Sequence, residues 1–150
     1  KPSHGPQKVA AALPAPKLSL ATYSGAKYSL DSTPGKVMLL SFWATWCPPC
    51  VEELPSMNAL AADYAKDDFE ILSVNFQESK TDIESFLQRV DVDFPILLDL
   101  DGIASHDWHV FSFPSSFILD RRGRIRYTLN KAIDWHTPEI KTLLDELIAE

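Results

Sequence analysis

The pattern of apolar positions along the chain predicts three strands, two of which are buried on both faces of a sheet. Residues 36–43 (KVMLLSFW) and 69–76 (FEILSVNF) consist largely of apolar residues, and FPILLD at residues 94–99 is a shorter run of the same kind. Runs without a polar side are typical of strands that are covered on both faces, as in the parallel part of an α/β sheet.

Apolar residues at helical spacing predict three helices, two between these strands and one at the end of the chain. The first begins at Pro48, the second has Ser79/Asp82 and Thr81/Glu84 as possible capping pairs, and the third has Thr137 as its cap before Pro138. The three apolar stripes consist of Leu54, Met57, Leu60 or Ala61, and Tyr64; of Ile83, Phe86, Leu87 and Val90; and of Ile140, Leu143, Leu144, Leu147 and Ile148.

Two further segments predict hairpins. KLSLATYSGAKYSL at residues 17–30 alternates apolar and polar positions around Ser24-Gly25. SSFILD and RIRYTL are separated by the turn at residues 121–123, so they should pair antiparallel. Together with the alternating strands and helices, this order predicts an α/β fold with a central mixed sheet, helices on both faces and an extra N-terminal β-hairpin.

The chain has the size of one domain, preceded by a different kind of segment. Residues 1–16 hold four of the eleven prolines and show no apolar periodicity, which predicts a flexible N-terminal lead-in. Residues 17–150 are then the folded domain. Because the chain begins with Lys1 rather than Met, we expect a processed product or a truncated piece.

Charge and hydropathy exclude several partners. The formal net charge is -7 and the longest basic run is Arg121-Arg122, which argues against nucleic acid and against anionic membrane surfaces. Hydrophobic residues make up 45% of the chain, which is ordinary for a globular protein. The longest apolar stretch, residues 37–44, is far too short to span a bilayer.

Both cysteines lie in FWATWCPPC at residues 42–50, where a buried strand gives way to a helix. A bridge between Cys47 and Cys50 closes a tiny loop and would stabilise the fold little. At a helix N-terminus Cys47 should ionise readily, whereas Cys50 lies a turn further in and should stay protonated. This spacing suits an attacking thiolate and a resolving thiol. Pro48 and Pro49 each remove an N–H donor, which favours a reductant over a strong oxidant.

Two other uses of the cysteine pair remain open. His106 and His109 could complete a four-ligand zinc site with Cys47 and Cys50, although 55 residues separate Cys50 from His106. A thiol peroxidase would also need a cysteine of low pKa, although the position three residues before Cys47 is Ala44 rather than Thr or Ser.

The combination of motifs resembles the thioredoxin fold and, within it, the TlpA/ResA-like thiol-disulfide oxidoreductases of bacterial envelopes. Four segments carry the resemblance, which spans roughly residues 14–148: WCPPCVEELP (46–55), VNFQESKTDIESFL (74–87), DFPILLD (93–99) and FPSSFILDRRGRI (113–125). The resemblance implies that Pro114 follows a cis peptide bond and that the Phe113 backbone is a docking edge for substrate. It also implies that Trp46 shields the thiolate and that Pro55 kinks the helix.

Glu53 falls in the C-x-x-C-x-x-E-x-P pattern of this family, on the same helix face as Cys50. If it is partly buried, its pKa should be raised, and it could carry a proton to or from Cys50. The alternative is a solvated carboxylate that complements the helix dipole, as we expect for Glu52. Ser41 stands where thioredoxin has a buried Asp, which shifts the handling of protons towards Glu53.

The resemblance implies a monomeric enzyme of the bacterial periplasm or envelope, tethered to the membrane through the segment before residue 1. Its substrates would be protein disulfides, either those of apocytochrome c or those of copper-site cysteines, and no cofactor is expected. A membrane-embedded thiol reductase would supply its electrons. A copper or zinc chaperone that uses the CxxC as ligands is the alternative from another class.

Overall fold

The computed structural model describes residues 5–32 and 35–150. Within these residues the chain forms eight strands, four α-helices and one 3-10 turn. In chain order these are β1 (Gln7–Pro14), β2 (Ser19–Ala21), β3 (Lys27–Ser29), the 3-10 turn (Leu30–Ser32), β4 (Val37–Trp43), α1 (Pro48–Ala62), β5 (Phe69–Phe76), α2 (Lys80–Leu87), β6 (Ile96–Asp99), α3 (Ile103–Asp107), β7 (Ser115–Leu119), β8 (Arg124–Leu129) and α4 (Pro138–Ile148).

Six strands form the central sheet, in the order β1-β8-β7-β4-β5-β6. Strands β4, β5 and β6 run parallel, whereas β7 is antiparallel to β4 and forms a hairpin with β8. Strands β2 and β3 form a separate hairpin that touches β6 through a bridge between Thr22 and Leu97. The predicted mixed sheet and extra hairpin are confirmed.

Strand β4 lies in the middle of the sheet, and all seven of its residues are buried. Its side chains alternate between two hydrophobic layers, as the pleat of a strand requires. Val37 and Leu39 join the layer that α1, α2 and α4 cover. Met38 and Leu40 join the opposite layer, which α3 and the β2–β3 segment cover. The predicted helices on both faces are therefore confirmed.

The helices begin where the capping signals place them. Pro48 is the first residue of α1, and Pro138 is the first residue of α4, after the Thr137 cap. Ser79 and Asp82 form a reciprocal capping box at the start of α2. No helix among the described residues is long and apolar enough to cross a bilayer.

The prediction of a flexible lead-in over residues 1–16 is wrong for the part that forms β1. Gln7–Pro14 pairs antiparallel with β8 as the edge strand of the sheet, with an irregular register between Lys8 and Leu13. Residues 1–4 lie outside the described part of the chain. The irregularity and the mostly exposed side chains explain why the strand has no period-two pattern, and Pro14 is tolerated because it ends an edge strand.

The packing of β1 generates a stability prediction. Val9 is half-buried and packs against the layer beneath α3, whereas its neighbour Lys8 is exposed. Val9→Ser should therefore lower the free energy of unfolding in urea by about 1 kcal/mol. Lys8→Ser is the matched control and should change it little. Equal midpoints for the two variants would mean that β1 adds nothing to the fold.

Candidate active site

The cysteine pair lies where β4 ends and α1 begins. Cys47 is the N-cap residue of α1, and the Cys50 amide donates a hydrogen bond to its Sγ over 3.4 Å. Because Pro48 and Pro49 have no N–H, the Cys50 amide is the first donor that the helix offers to this sulfur. The two cysteines form a disulfide, with their Cα atoms 5.3 Å apart.

The two sulfurs differ in their access to solvent. Both cysteines are buried in the hydrophobic layer beneath α1, but Cys47 is 5% exposed and Cys50 is 1% exposed. The Cys47 sulfur lies 3.6 Å from the carbonyl oxygen of Phe113. Phe113 precedes Pro114 through a cis peptide bond, as the resemblance implied. Cys47 is therefore the cysteine of the pair that borders the Phe113 peptide.

Aromatic side chains surround the opening above Cys47. The Trp46 ring is largely exposed and meets the Phe113 ring edge-on, with the ring centroids 6.0 Å apart. Phe113 also packs against Phe76 at the end of β5, at 4.9 Å between centroids. Trp46 thus borders the opening, and its predicted shielding of the thiolate remains a proposal.

Glu53 is a buried carboxyl group, in contrast to the exposed Glu52 beside it. Its Oε2 accepts hydrogen bonds from the Trp135 indole N–H at 2.9 Å and from the Ile133 amide at 3.2 Å. Burial raises the pKa of Glu53 to about 7, and these two hydrogen bonds offset part of that effect. The alternative of a solvated carboxylate at this position is wrong.

The Glu53 side chain also borders solvent. It lines an open cavity of about 480 Å³ between the outer side of α1 and the segment that follows β8. The other lining residues are Glu52, Pro55, Ser56, Ala132, Ile133 and Asp134. Glu53 therefore lies at the wall of this cavity, three residues after Cys50 in α1.

Pro55 lies inside α1, as the family pattern predicts. It has no N–H to donate to the carbonyl of Val51, so one hydrogen bond of the helix is missing there. Ser41 is buried in β4 and stands in register with Ser73 of β5 and Ser116 of β7. Three serine residues therefore occupy this row of the sheet, which includes the position at which thioredoxin is expected to have an Asp.

Glu78 and Trp135 belong to the surroundings of the site, and the sequence analysis missed both. The Glu78 carboxylate accepts hydrogen bonds from the amide and hydroxyl groups of Thr45 and from the Asn75 side chain. These hydrogen bonds hold the turn before Cys47 against the end of β5. Polar residues directly follow the buried run at 69–76, and they could have indicated a role for Glu78. Trp135 lies in an irregular segment that has no such pattern.

The zinc site considered from the sequence is not formed in the described residues. His106 and His109 are both exposed, and His109 adopts a left-handed backbone conformation after α3. In residues 5–32 and 35–150, no three His, Cys, Asp or Glu side chains are grouped so that they could hold a metal ion. The two histidines therefore do not join Cys47 and Cys50.

A dithiol at the start of a helix, at the carboxyl edge of a mixed sheet and beside a cis-proline peptide, defines the class of protein. It is the arrangement of thiol-disulfide oxidoreductases with the thioredoxin fold. A protein-family model described as the AhpC/TSA family matches residues 11–128.

Relatives of known name agree with this class. The chain is 44% identical over 115 residues to the thioredoxin-like protein YneN of Bacillus subtilis, a match that covers 75% of this chain and 66% of YneN. It is 36% identical over 138 residues to the thiol-disulfide oxidoreductase ResA of Geobacillus kaustophilus, which covers 89% of this chain and 79% of ResA. The chain therefore belongs to the AhpC/TSA family and, within it, to the ResA-like thiol-disulfide oxidoreductases.

Solved structures share the fold. StoA from Bacillus subtilis superposes with a TM-score of 0.71 and 27% identity, over 93% of this chain and 100% of that chain. The exposed lipoprotein thioredoxin of Streptococcus pneumoniae strain TIGR4 gives a TM-score of 0.75 and 28% identity, over 88% of this chain and 100% of that chain. The protein is thus an enzyme of thiol-disulfide exchange with the Cys47–Cys50 pair as its redox group.

The raised pKa of Glu53 predicts a pH dependence of stability. Its protonated form is favoured in the folded state, so this contribution is complete below the ordinary pKa of 4.5 and is lost as the pH rises to about 7. Over that window the free energy of unfolding should fall by about 3 kcal/mol more in the native protein than in Glu53→Gln. Denaturant titrations across the pH range measure the difference. Parallel pH profiles for the two proteins would show that Glu53 titrates normally.

Proposed function

We propose that this protein reduces disulfides of particular proteins outside the cytoplasm, with Cys47 as the attacking thiolate and Cys50 as the resolving thiol. The observation that carries the proposal is the position of the two sulfurs. The Cys47 sulfur lies at the start of α1 beside the Phe113 peptide, whereas Cys50 lies about one turn further into the helix and is less exposed. A substrate sulfur can therefore reach Cys47, while Cys50 lies close enough to attack the Cys47 sulfur afterwards.

The exchange proceeds in two steps. The Cys47 thiolate attacks one sulfur of the substrate disulfide, which forms a mixed disulfide and releases the other substrate sulfur as a thiolate that takes up a proton. Cys50 then loses its proton and attacks the Cys47 sulfur. This forms the Cys47–Cys50 disulfide and releases the second substrate thiol, so two electrons have passed from the protein to the substrate.

The direction of exchange follows from how the Cys47 thiolate is stabilised. Strong oxidants of this type owe their potential to a stabilised thiolate in the reduced form. Here Pro48 and Pro49 remove two N–H donors from the helix start, and the Cys50 amide supplies the hydrogen bond to the Cys47 sulfur. No histidine stands between the cysteines. The reduced form of this protein is therefore stabilised less than that of a strong oxidant, which favours a role as a reductant.

Glu53 is the group that takes the proton of Cys50 in the second step. It follows Cys50 by three residues on the same helix face, and its pKa of about 7 lets it accept and release a proton near neutral pH. The cavity that it lines provides the route by which this proton reaches water. Phe113 and Pro114 hold the substrate backbone beside Cys47, while Trp46 limits the access of solvent to the thiolate.

The setting of this reaction is the bacterial periplasm or envelope. One structural relative is described as an exposed lipoprotein, which supports a place outside the cytoplasm. In an oxidising compartment the Cys47–Cys50 disulfide must be reduced again, and a membrane-embedded thiol reductase is the class of donor that we propose. The protein acts as a monomer on the haem-binding cysteines of apocytochrome c or on copper-site cysteines.

Trapping of the mixed disulfide tests this function. The probe is a peptide that carries a Cys-x-x-Cys-His motif with its two cysteines oxidised to a disulfide. Reduced Cys50→Ser should accumulate an adduct with the peptide through Cys47, measured by intact mass and peptide mapping. Cys47→Ser is the matched control and should accumulate little. Failure of Cys50→Ser to form the adduct, or attachment through residue 50 in the control, would contradict the proposed roles.

Glu53 is tested in the resolving step of the same reaction. Glu53→Gln keeps a side chain of similar shape but should slow the release of reduced peptide by about 100-fold near pH 7, because it cannot take the Cys50 proton. The exposed neighbour provides the control, since Glu52→Gln should leave the rate unchanged. Stopped-flow fluorescence of the tryptophans beside the cysteines follows the step. Equal rates for both variants and the native protein would remove Glu53 from the mechanism.

A further inference from the structure

Exposed apolar side chains are concentrated at the end of the molecule that carries the cysteines. Five large hydrophobic residues are exposed in the described part of the chain, and one of them, Leu13, lies in the edge strand β1. The other four belong to segments at the carboxyl edge of the parallel strands or beside the Phe113 peptide. These are Trp46, Leu100, Ile103 and Phe111, with exposed fractions of 61%, 62%, 58% and 76%.

Ring contacts extend from the redox site towards the turn that carries Leu100 and Ile103. Phe76 stacks on Phe113, which lies beside the Cys47 sulfur, and it also lies directly against Gly102. A Cβ atom at Gly102 would lie 2.8 Å from the Gln77 side-chain nitrogen and 3.0 Å from the Phe76 ring, so glycine lets both side chains approach the turn between Leu100 and Ile103.

The surface continues along the outer side of α3. Ile103 and His106 are one helical turn apart, and the His106 ring meets the Phe111 ring edge-on at 6.4 Å between centroids. We call the surface formed by Leu100, Ile103 and Phe111 the α3 surface. Gly102, between Leu100 and Ile103, lies close to Phe76, which packs on Phe113 beside the Cys47 sulfur.

The two sides of the cysteine pair differ in chemistry. The α3 surface lies on one side, and the cavity lined by Glu52, Glu53 and Asp134 lies beside α1 on the other. Exposed apolar patches beside a functional site mark binding surfaces. The exposed apolar side chains therefore lie on the α3 side of the cysteine pair and not beside the α1 cavity.

We propose that the α3 surface binds an apolar segment of the substrate protein that adjoins its disulfide in sequence, so that aromatic or branched aliphatic residues on one flank of the target cysteine are preferred. This inference rests on the proposed function and names the substrate feature that the site selects. The segment lies along Phe113 and Phe76 and places its side chains against Leu100, Ile103 and Phe111.

Two other occupants fit this surface less well. An anionic membrane is disfavoured because Asp101 and Asp107 are exposed at its rim and the chain carries a net charge of -7. A second copy of the chain seated here would cover the opening at Cys47 and prevent exchange. A substrate segment, in contrast, has to lie beside Phe113 for its sulfur to reach Cys47.

The test compares disulfide peptides that differ only beside the attacked cysteine. One has two Phe residues before the cysteine, a second has them after it, and a reference has Ser at all four positions. For the native reduced protein, kcat/KM should exceed that of the reference by about tenfold for one of the two Phe peptides only, since a tenfold difference corresponds to about 1.4 kcal/mol of contact energy. Equal values for all three peptides would overturn the proposal.

Substitutions in the α3 surface test whether it causes the preference for one Phe peptide. The double variant Leu100→Ser/Ile103→Ser, and independently Phe111→Ser, should remove the tenfold preference while leaving the rate with oxidised glutathione unchanged. Leu13→Ser also removes an exposed apolar side chain, but one in β1, and it should keep the preference. Retention of the preference in both α3-surface variants would contradict the proposal.

The outcomes also separate this inference from the proposed function. If the native protein reduces neither oxidised glutathione nor any peptide, the proposed function itself fails. If it reduces them all without regard to the flanks, only the inference fails. If the native protein sediments with phosphatidylglycerol vesicles and Leu100→Ser/Ile103→Ser does not, the surface binds a membrane. If the native protein is a dimer in analytical ultracentrifugation and this variant is not, the surface binds a second copy. Either result would overturn the proposal as well.

Discussion

Strand β4 lies between two hydrophobic layers, and everything about the site depends on where this strand ends. Its seven residues are buried, so the strand cannot shift its register by one position without exchanging the two layers. Trp43 is its last residue, and α1 begins five positions later at Pro48. The position of Cys47 at the helix start is therefore a consequence of core packing, to which Glu78 adds by fastening Thr45.

The chemistry of the site depends on which polar groups the core tolerates. Glu53 is buried with two hydrogen bonds to one carboxylate oxygen, too few to offset the loss of water around a charge, and its pKa rises accordingly. Trp135 is fully buried and supplies one of these bonds, so the segment after β8 tunes the proton chemistry of α1. The cysteine pair with Glu53, the Phe113 peptide and Trp135 thus come from three distant parts of the sequence.

Much of this arrangement could be predicted from the sequence because the relevant signals are local. The uninterrupted apolar run of β4, Pro48 behind Cys47 and the Ser79–Asp82 capping box each act over a few residues. The role of β1 could not be predicted, because an irregular edge strand of mostly exposed side chains lacks a period-two pattern. The role of Trp135 could not be predicted for a different reason, since its hydrogen bond to Glu53 joins residues that only the tertiary structure brings together.

The central claim is that this dithiol is a reductant, and its reduction potential tests that claim most directly. Trp43 and Trp46 lie next to the cysteines in sequence, so their fluorescence can follow the redox state in glutathione and dithiothreitol buffers. The account predicts a potential at or below about -270 mV, the value of thioredoxin. A potential near about -120 mV would contradict it, because that value belongs to strong donors of disulfides. The two results differ by about 7 kcal/mol for this two-electron couple, so modest precision is enough to decide.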